Sequence, residues 1–364
     1  MLRILYFETT AFLPSSAHFL ETLQERAARR QCEFRFVDEA QFAPSRTGLA
    51  DRATRKVLGR PLFGYRALNQ ALVVAARELR PNITIIAKGA YIAPATLLSI
   101  KRETGATLIN WAADDPFNSA NATRGLLRSI PIYDLYVCTK KAVIRDVRNS
   151  GSPRTAYLRF GYKPGAFFPE QAANDVERER FRSDVVFIGG CDSDRAPFFE
   201  RLLERIPGVR LHLYGAHWDG YPAFRPHWRG QALGRDYRLA MSGAKIAVNL
   251  VRRANRDDHV MRTFEIPACG AFMLAERTDT HQELFVEDRE AVFFSSPEEM
   301  AGKIGEFLPR DHARSAIAAA GHRKIASGRH TYADRLDEIL SLVTGDARRE
   351  SSSAVAHRAV VAGG

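Results

Sequence analysis

The chain has 364 residues, 45% hydrophobic and 26% charged, with 53 Lys and Arg against 42 Asp and Glu, a net of +11. At ~150 residues per domain this suits two domains, each able to bury its own core, and the composition excludes a disordered, collagen-like or coiled-coil chain. All the excess positive charge lies in residues 1–160, which hold 24 basic and 13 acidic residues, whereas residues 161–364 hold 29 of each.

The opening MLRILYFETT reads as a first strand and not as a secretory leader. Strand-like runs follow at 33–37, 83–87, 107–111, 135–137 and 155–158. Between them, stretches 16–29, 63–79, 94–103 and 140–149 carry apolar residues at helical spacing, with Ser16 a candidate N-cap and Pro94 in a first turn. NITIIA is apolar throughout, as in a parallel sheet covered on both faces. The stretch 46–60, RTGLADRATRKVLGR, is a mobile loop or a basic helix with a thin apolar face. Residues 161–182 break the alternation with Pro, Gly and then dense charge, and are expected to link two domains.

The alternation restarts with SDVVFIGG. A helix is expected at 195–205, strands at 209–214 and 245–250, and helices at 237–242 and 260–269. The last of these stops at Gly270, suited to a left-handed C′ position. Strands at 271–274 and 291–294 precede helices over 297–343. The tail from Gly345 lacks a period and is expected to be disordered. The pattern predicts two doubly wound Rossmann-like domains, a basic one over 1–160 and another over 183–329, joined by a linker, 161–182, and followed by a helix over 330–344. Four scattered cysteines, with no CxxC pair, and no apolar run near ~20 residues point to reduced thiols in a cytoplasmic chain. The basic first half is a solvated arginine-rich face or a surface for something anionic, including peripheral contact with the inner face of a membrane.

Open α/β sheets bind ligands at the carboxyl ends of their strands. In the second half three stretches reach such ends. FIGGCDSDR places Gly189 and Gly190 after a buried strand, with free helix-start amides and Arg195 beyond; it is a tight turn or a diphosphate cradle. VRLHLYGAHW ends a strand at Tyr214 and Gly215, an edge able to face a base. The run 245–276 carries Lys245, Asn249, Asp257, Asp258, His259, Arg262 and Glu265. Glu265 lies inside a mostly apolar helix, so it either pairs with Arg262 one turn earlier or accepts from sugar hydroxyls. In the first half, Asp114 and Asp115 follow a strand as ADDP, not DxD, and are read as acceptor-orienting groups or a base, not as a metal site. Thr9, Thr10, His18 and Lys88 lie near other strand ends on the acceptor side.

The pattern VFIGG, DR, YG, W, KIAVNL and R-x-FE-x-x-A-C-G-A-F-x-L at 262–274 resembles the CgeB-like (spore-maturation type) GT-B glycosyltransferases. INWAADDPFN, YDLYVCTKKAVIRDVRNSG, DREAVFFSSPEEMAGKI and AAAGHRKIASGRHTYADRLDEIL carry the same likeness, which covers most of residues 80–340. The resemblance implies two domains facing a cleft, 1–160 presenting the acceptor and 183–329 a nucleotide sugar, with the helix 330–344 packing back towards the first domain. It also implies metal-independent transfer from a nucleotide-diphosphate sugar, with no further cofactor. It implies that Glu265 binds the ribose and that Asp257 stands where the family has the first glutamate of a Glu-x7-Glu motif, contacting the donor sugar. Asp is one methylene shorter, so Asp258 is the substitute. It leaves Arg195 and Arg262, ahead of Lys245, for the diphosphate, and leans towards retention. The alternative is a non-catalytic nucleotide-sugar or polyanion-binding protein of the same fold. Nucleic acid is not expected as a partner, because no aromatic residues are interleaved with the arginines.

Overall fold

The computed structural model describes residues 1–10, 14–42, 54 and 64–345. The basic stretch at 46–60, apart from residue 54, the tail beyond 345 and the Ser16 side chain lie outside the described residues. The chain divides into two compact units: 1–159 with 254–256 and 332 onward, and 160–253 with 257–331.

In the first unit the elements run β1 (Leu2–Glu8), α1 (Pro14–Ala28), β2 (Cys32–Asp38), α2 (Tyr65–Leu79), β3 (Ile83–Ala87), α3 (Pro94–Thr104), β4 (Thr107–Ala112), α4 (Arg124–Ser129), β5 (Leu135–Cys138), α5 (Ile144–Asn149) and β6 (Thr155–Tyr157). The six strands are all parallel, in the order β2-β1-β3-β4-β5-β6. Every residue of β3 is buried, which is why that run alternates so little. Helices α2, α3 and α4 cover the sheet through Leu68, Leu72, Leu97, Ile100 and Leu126. Pro94 sits in the first turn of α3, and Gly105 ends it in the left-handed region.

In the second unit come α6 (Asp175–Phe181), β7 (Ser183–Ile188), α7 (Ala196–Arg205), β8 (Leu211–Tyr214), α8 (Arg235–Ser242), β9 (Ala244–Asn249), α9 (Arg262–Ala268), β10 (Met273–Glu276), α10 (Asp279–Leu284), β11 (Val292–Phe294), α11 (Pro297–Phe307) and α12 (Asp311–Ser327). Five parallel strands lie in the order β11-β10-β9-β7-β8. The chain reverses direction across the sheet between β7 and β9, the switch point at which such sheets take ligands. The last helix, α13 (Tyr332–Thr344), belongs to the first unit. It buries Tyr332, Leu336 and Ile339 and ties Asp337 to Arg26 on α1 at 2.5 Å.

Three stretches differ from the sequence reading. The segment expected to be a linker carries α6, capped by the Asn174 side chain and anchored by the buried Phe181. Its charges are an outer face, with Glu177 paired to Arg235 and Glu179 to Arg210. The short helices α4 and α10 were not expected. Each has six residues, too few to show a helical period, and each starts on a threonine cap, Thr123 and Thr278.

Candidate functional site

At the switch point of the second unit, β7 ends in Gly189 and Gly190. Gly189 donates to the Tyr214 carbonyl at 2.8 Å, and its own carbonyl accepts from Trp218 Nε1 at 2.9 Å. Gly215, at φ +121°, comes so close that a Cβ on it would lie 2.5 Å from the Gly189 oxygen. This position requires glycine. A Cβ on Gly189 would meet Arg262 Nη1 at 3.0 Å, so the missing side chain makes room for a guanidinium.

Arg195 and Arg262 both gather on the Phe187 ring, their Cζ atoms 5.5 and 5.0 Å from its centroid. Arg195 is 4% exposed. Its Nη1 donates to the Gly190 carbonyl at 2.9 Å, and the nearest carboxylate oxygen, on Asp192, is 3.8 Å away. Arg262 Nη2 donates to the Leu250 carbonyl at 3.1 Å. The Nε atoms of both residues are buried without a hydrogen-bond partner. Burial first, then the charge of Arg262, brings the Arg195 pKa down to about 10, and burial likewise lowers that of Arg262. Two like charges at the end of a sheet, with donors unsatisfied, are chemically suited to an anion.

The helix start contributes differently from the sequence reading. The amides of Asp194 and Arg195 turn back to Asp192 Oδ1, that of Ala196 to the Asp192 carbonyl, and residue 197 is proline. The first-turn amides are therefore occupied, and the positive charge at this strand end comes from side chains.

Glu265 lies on α9, one turn beyond Arg262. Of the two alternatives for Glu265, the ion pair with Arg262 is not formed: among the described residues Arg262 has no carboxylate within 4.0 Å, because its side chain reaches back to Leu250 and Phe187 instead. Glu265 is 6% exposed. Tyr237 on α8 donates to its Oε2 at 2.9 Å, and no described residue donates to Oε1. Burial raises the Glu265 carboxyl to about 7, against the opposing effects of Tyr237 and Arg262. Asp257 bears electrostatically on both arginines.

Other sequence candidates are engaged elsewhere. Lys245 opens β9, at the opposite end from the arginines, and pairs with Asp184 at 2.9 Å. His259 is fully buried; its Nε2 accepts from the Phe160 amide at 3.0 Å, and its Nδ1 donates to Asp258 at 2.6 Å. That ring and Asp258 brace the chain and are not brought to a ligand position. Asn249 is fully buried and donates to Thr263 Oγ1 at 3.1 Å. Thr263 hydrogen-bonds to His281 Nε2 at 2.8 Å, and His281 Nδ1 to the Glu276 carbonyl at 2.6 Å. Burial brings His281 down to about 4, so the ring stays neutral and this chain of bonds keeps one direction. It fixes α9 from beneath. Tyr214 is buried at the end of β8.

In the first unit the strand-end aspartates Asp38, Asp114 and Asp115 each have a partner, whereas Glu8, at the end of β1, is held among the described residues by the Tyr6 hydroxyl alone. Arg256 makes two contacts with Asp115, at 2.6 and 3.0 Å, and a third with Asp146 at 2.6 Å. Asp115 is therefore engaged on both oxygens by one guanidinium. Asp114 accepts from Lys88 at 3.1 Å and from Asn255 at 3.2 Å; burial alone would raise its pKa, but Lys88 brings it below the usual value. Thr10 binds Asp38 through its hydroxyl at 2.5 Å and its amide at 3.1 Å. Thr9 is half-buried at the end of β1, and His18 lies buried on α1 with Nδ1 3.4 Å from Glu21. Sequence reasoning missed Tyr237, Phe187, Asn255, Arg256, the fully buried Lys140 and Glu8, whose carboxyl burial raises to about 8. Among the described residues no three His, Cys, Asp or Glu side chains gather as metal ligands, and no helix is long and apolar enough to cross a membrane.

Residues 195–341 match a family model described as glycosyl transferase-like. No curated protein sequence matches the chain. Among solved structures, sucrose-phosphate synthase from Thermosynechococcus elongatus is similar at a TM-score of 0.68 and 10% identity, over 95% of this chain and 100% of that one. Trehalose 6-phosphate synthase from Burkholderia multivorans gives 0.64 and 12%, over 94% and 98%. HepE of Anabaena, in complex with UDP-glucose, gives 0.61 and 14%, over 94% and 100%. At such identities the likeness concerns architecture, and it shows that the chain has the fold of these GT-B proteins: two parallel-sheet, Rossmann-like α/β domains.

Proposed function

We propose that this protein is a glycosyltransferase, of the CgeB-like kind, that moves a hexosyl or related group from a nucleotide-diphosphate sugar to an acceptor. The observation that carries this reading is the pair of guanidinium groups on Phe187, each with an unpartnered Nε, one of them, on Arg262, a helical turn from the Glu265 carboxylate, to whose Oε1 no described residue donates. A diphosphate suits the first feature and a ribose the second. The family match over 195–341 and the UDP-glucose complex of the HepE structure support a nucleotide sugar as donor.

In this reading Arg195 and Arg262 hold the diphosphate, and their charge stabilises the negative charge that grows on the leaving group as the glycosidic bond breaks. That role needs no metal. Glu265 accepts from the ribose hydroxyls. Asp257 is the donor-sugar contact in preference to Asp258, which holds His259. The basic first half fits an anionic acceptor, and the chain works in the cytoplasm, with peripheral membrane contact as an extension.

The test is a thermal-shift and calorimetric screen with nucleoside diphosphates and their sugars, followed by an assay for sugar release or transfer. At least one nucleoside diphosphate should raise the melting temperature, and Glu265→Ala should remove that rise while staying folded. If none binds, the reading fails. If a nucleotide sugar binds and is never turned over, the protein is a binding module.

A further inference from the structure

Tyr237 lies on α8, 28 residues before Glu265, and is 8% exposed. Its ring packs edge-on against Phe167, with centroids 5.3 Å apart at 79°, so it has little freedom to turn. Its hydroxyl donates to Glu265 Oε2. No cation lies within 4.0 Å of that carboxylate among the described residues, so this single bond sets its orientation and opposes the burial that favours its neutral form. The bond engages one oxygen, and no described residue donates to the other.

We propose that Tyr237 is a positioning residue for ribose recognition: it pins Glu265 Oε2 and favours the ionised form of the carboxyl, so that Oε1 accepts from the vicinal hydroxyls of a nucleoside diphosphate. This rests on the donor-site reading above. A charged acceptor binds hydroxyls more strongly than a neutral one, so nucleotide affinity follows the ionisation of Glu265. The groups around Glu265 are Tyr237 from α8, Arg262 from its own helix and Cys269 just beyond it. From α12, which packs on α9, His322 is turned to the Pro267 carbonyl at 2.9 Å. At the ends of β9 and β10 stand the uncharged Asn249 and Glu276, the latter paired with Arg253 at 3.2 Å. Among these, Tyr237 is the group hydrogen-bonded to the carboxylate.

The experiment uses the full chain and its Tyr237→Phe variant. Calorimetry measures the affinity of the best-binding nucleoside diphosphate, its 2′,3′-dideoxy counterpart and inorganic pyrophosphate as pH is varied. The natural chain should prefer the ribose form, with affinity rising as pH passes through about 7. Tyr237→Phe should lose about tenfold for the ribose form at neutral pH, and its pH midpoint should move upward, so that affinity recovers near about pH 9. Its affinity for pyrophosphate, held by the arginines alone, should be unchanged. A folded Tyr237→Phe chain with the natural ribose preference and pH profile overturns the inference and leaves the donor-site reading standing. If the natural chain binds no nucleoside diphosphate, both fall. Should Tyr237→Phe fail to fold, Glu265→Gln must abolish the pH dependence and the ribose preference together, and persistence of either also overturns the proposal.

Discussion

Both units end their parallel strands in charged residues, but the two edges are satisfied differently. In the first, Asp115 is clamped by Arg256, Asp114 by Lys88 and Asn255, and Asp38 by Thr10. In the second, two arginines crowd one phenylalanine with their Nε atoms unpartnered, and a buried glutamate is held by one phenol. Charge at a strand end is a poor guide to binding when counted by residue type. Glu8 of the first edge is, like Glu265, a buried carboxyl held by one phenol, so what separates the two edges is the pair of arginines with unpartnered donors at the second, since burying an unsatisfied charge is costly unless a ligand supplies what is missing.

The strongest way to break this comparison is Arg262→Met. Loss of a buried, charge-assisted contact should weaken nucleoside diphosphate binding by about 100-fold or more. The ligand-free protein should melt no lower than the natural one, because a like charge beside Arg195 is removed. A marked loss of stability in calorimetry would show that Arg262 is a structural pillar. Next comes pH. The Glu265 carboxyl sits at about 7 in the folded chain, above its ordinary 4.5, so the folded state holds a proton that the unfolded chain releases. This stabilisation is fully present below about pH 4.5 and is lost as pH rises through about 7. The loss reaches about 3 kcal/mol at its upper limit. Denaturant titrations of Glu265→Gln should lack that decline, while donor binding by the natural chain runs the opposite way over the same range. A variant whose stability falls with pH just as the natural chain's does would remove Glu265 from this account. On the first edge, Asp115→Asn should cost about 2 kcal/mol of stability and leave nucleotide affinity unchanged. Lys88→Met, half-exposed, should cost at most about 1 kcal/mol. A nucleotide-binding defect in either would erase the contrast.

How much of this was legible in the sequence follows from the range of each interaction. Gly189, Gly190 and Arg195 could be singled out because a strand, its turn and the next residues are contiguous. Glu265 stood out because a carboxylate in an apolar helix is conspicuous. Lys245 was placed with the arginines because it shares their strand-rich segment, yet it begins its strand while they lie beyond strand ends, so the length of β9 sets it apart. The helix-start amides were misjudged because Asp192 turns back on them, a local choice that a glycine pair does not reveal. Tyr237 and Arg256 had no local signal at all. Their carboxylate partners lie 28 and 141 residues away, and only the folded sheets bring them into contact.

The helix α13 closes the first unit although it is the last described element of the chain. During synthesis, the face of α1 that carries Arg26 must wait, uncovered, until nearly the whole polypeptide has left the ribosome. A nascent chain halted after the second unit would hold a complete second sheet and an unfinished first unit with an apolar flank open to solvent. Such stalled products would be captured by chaperones or aggregate through that flank.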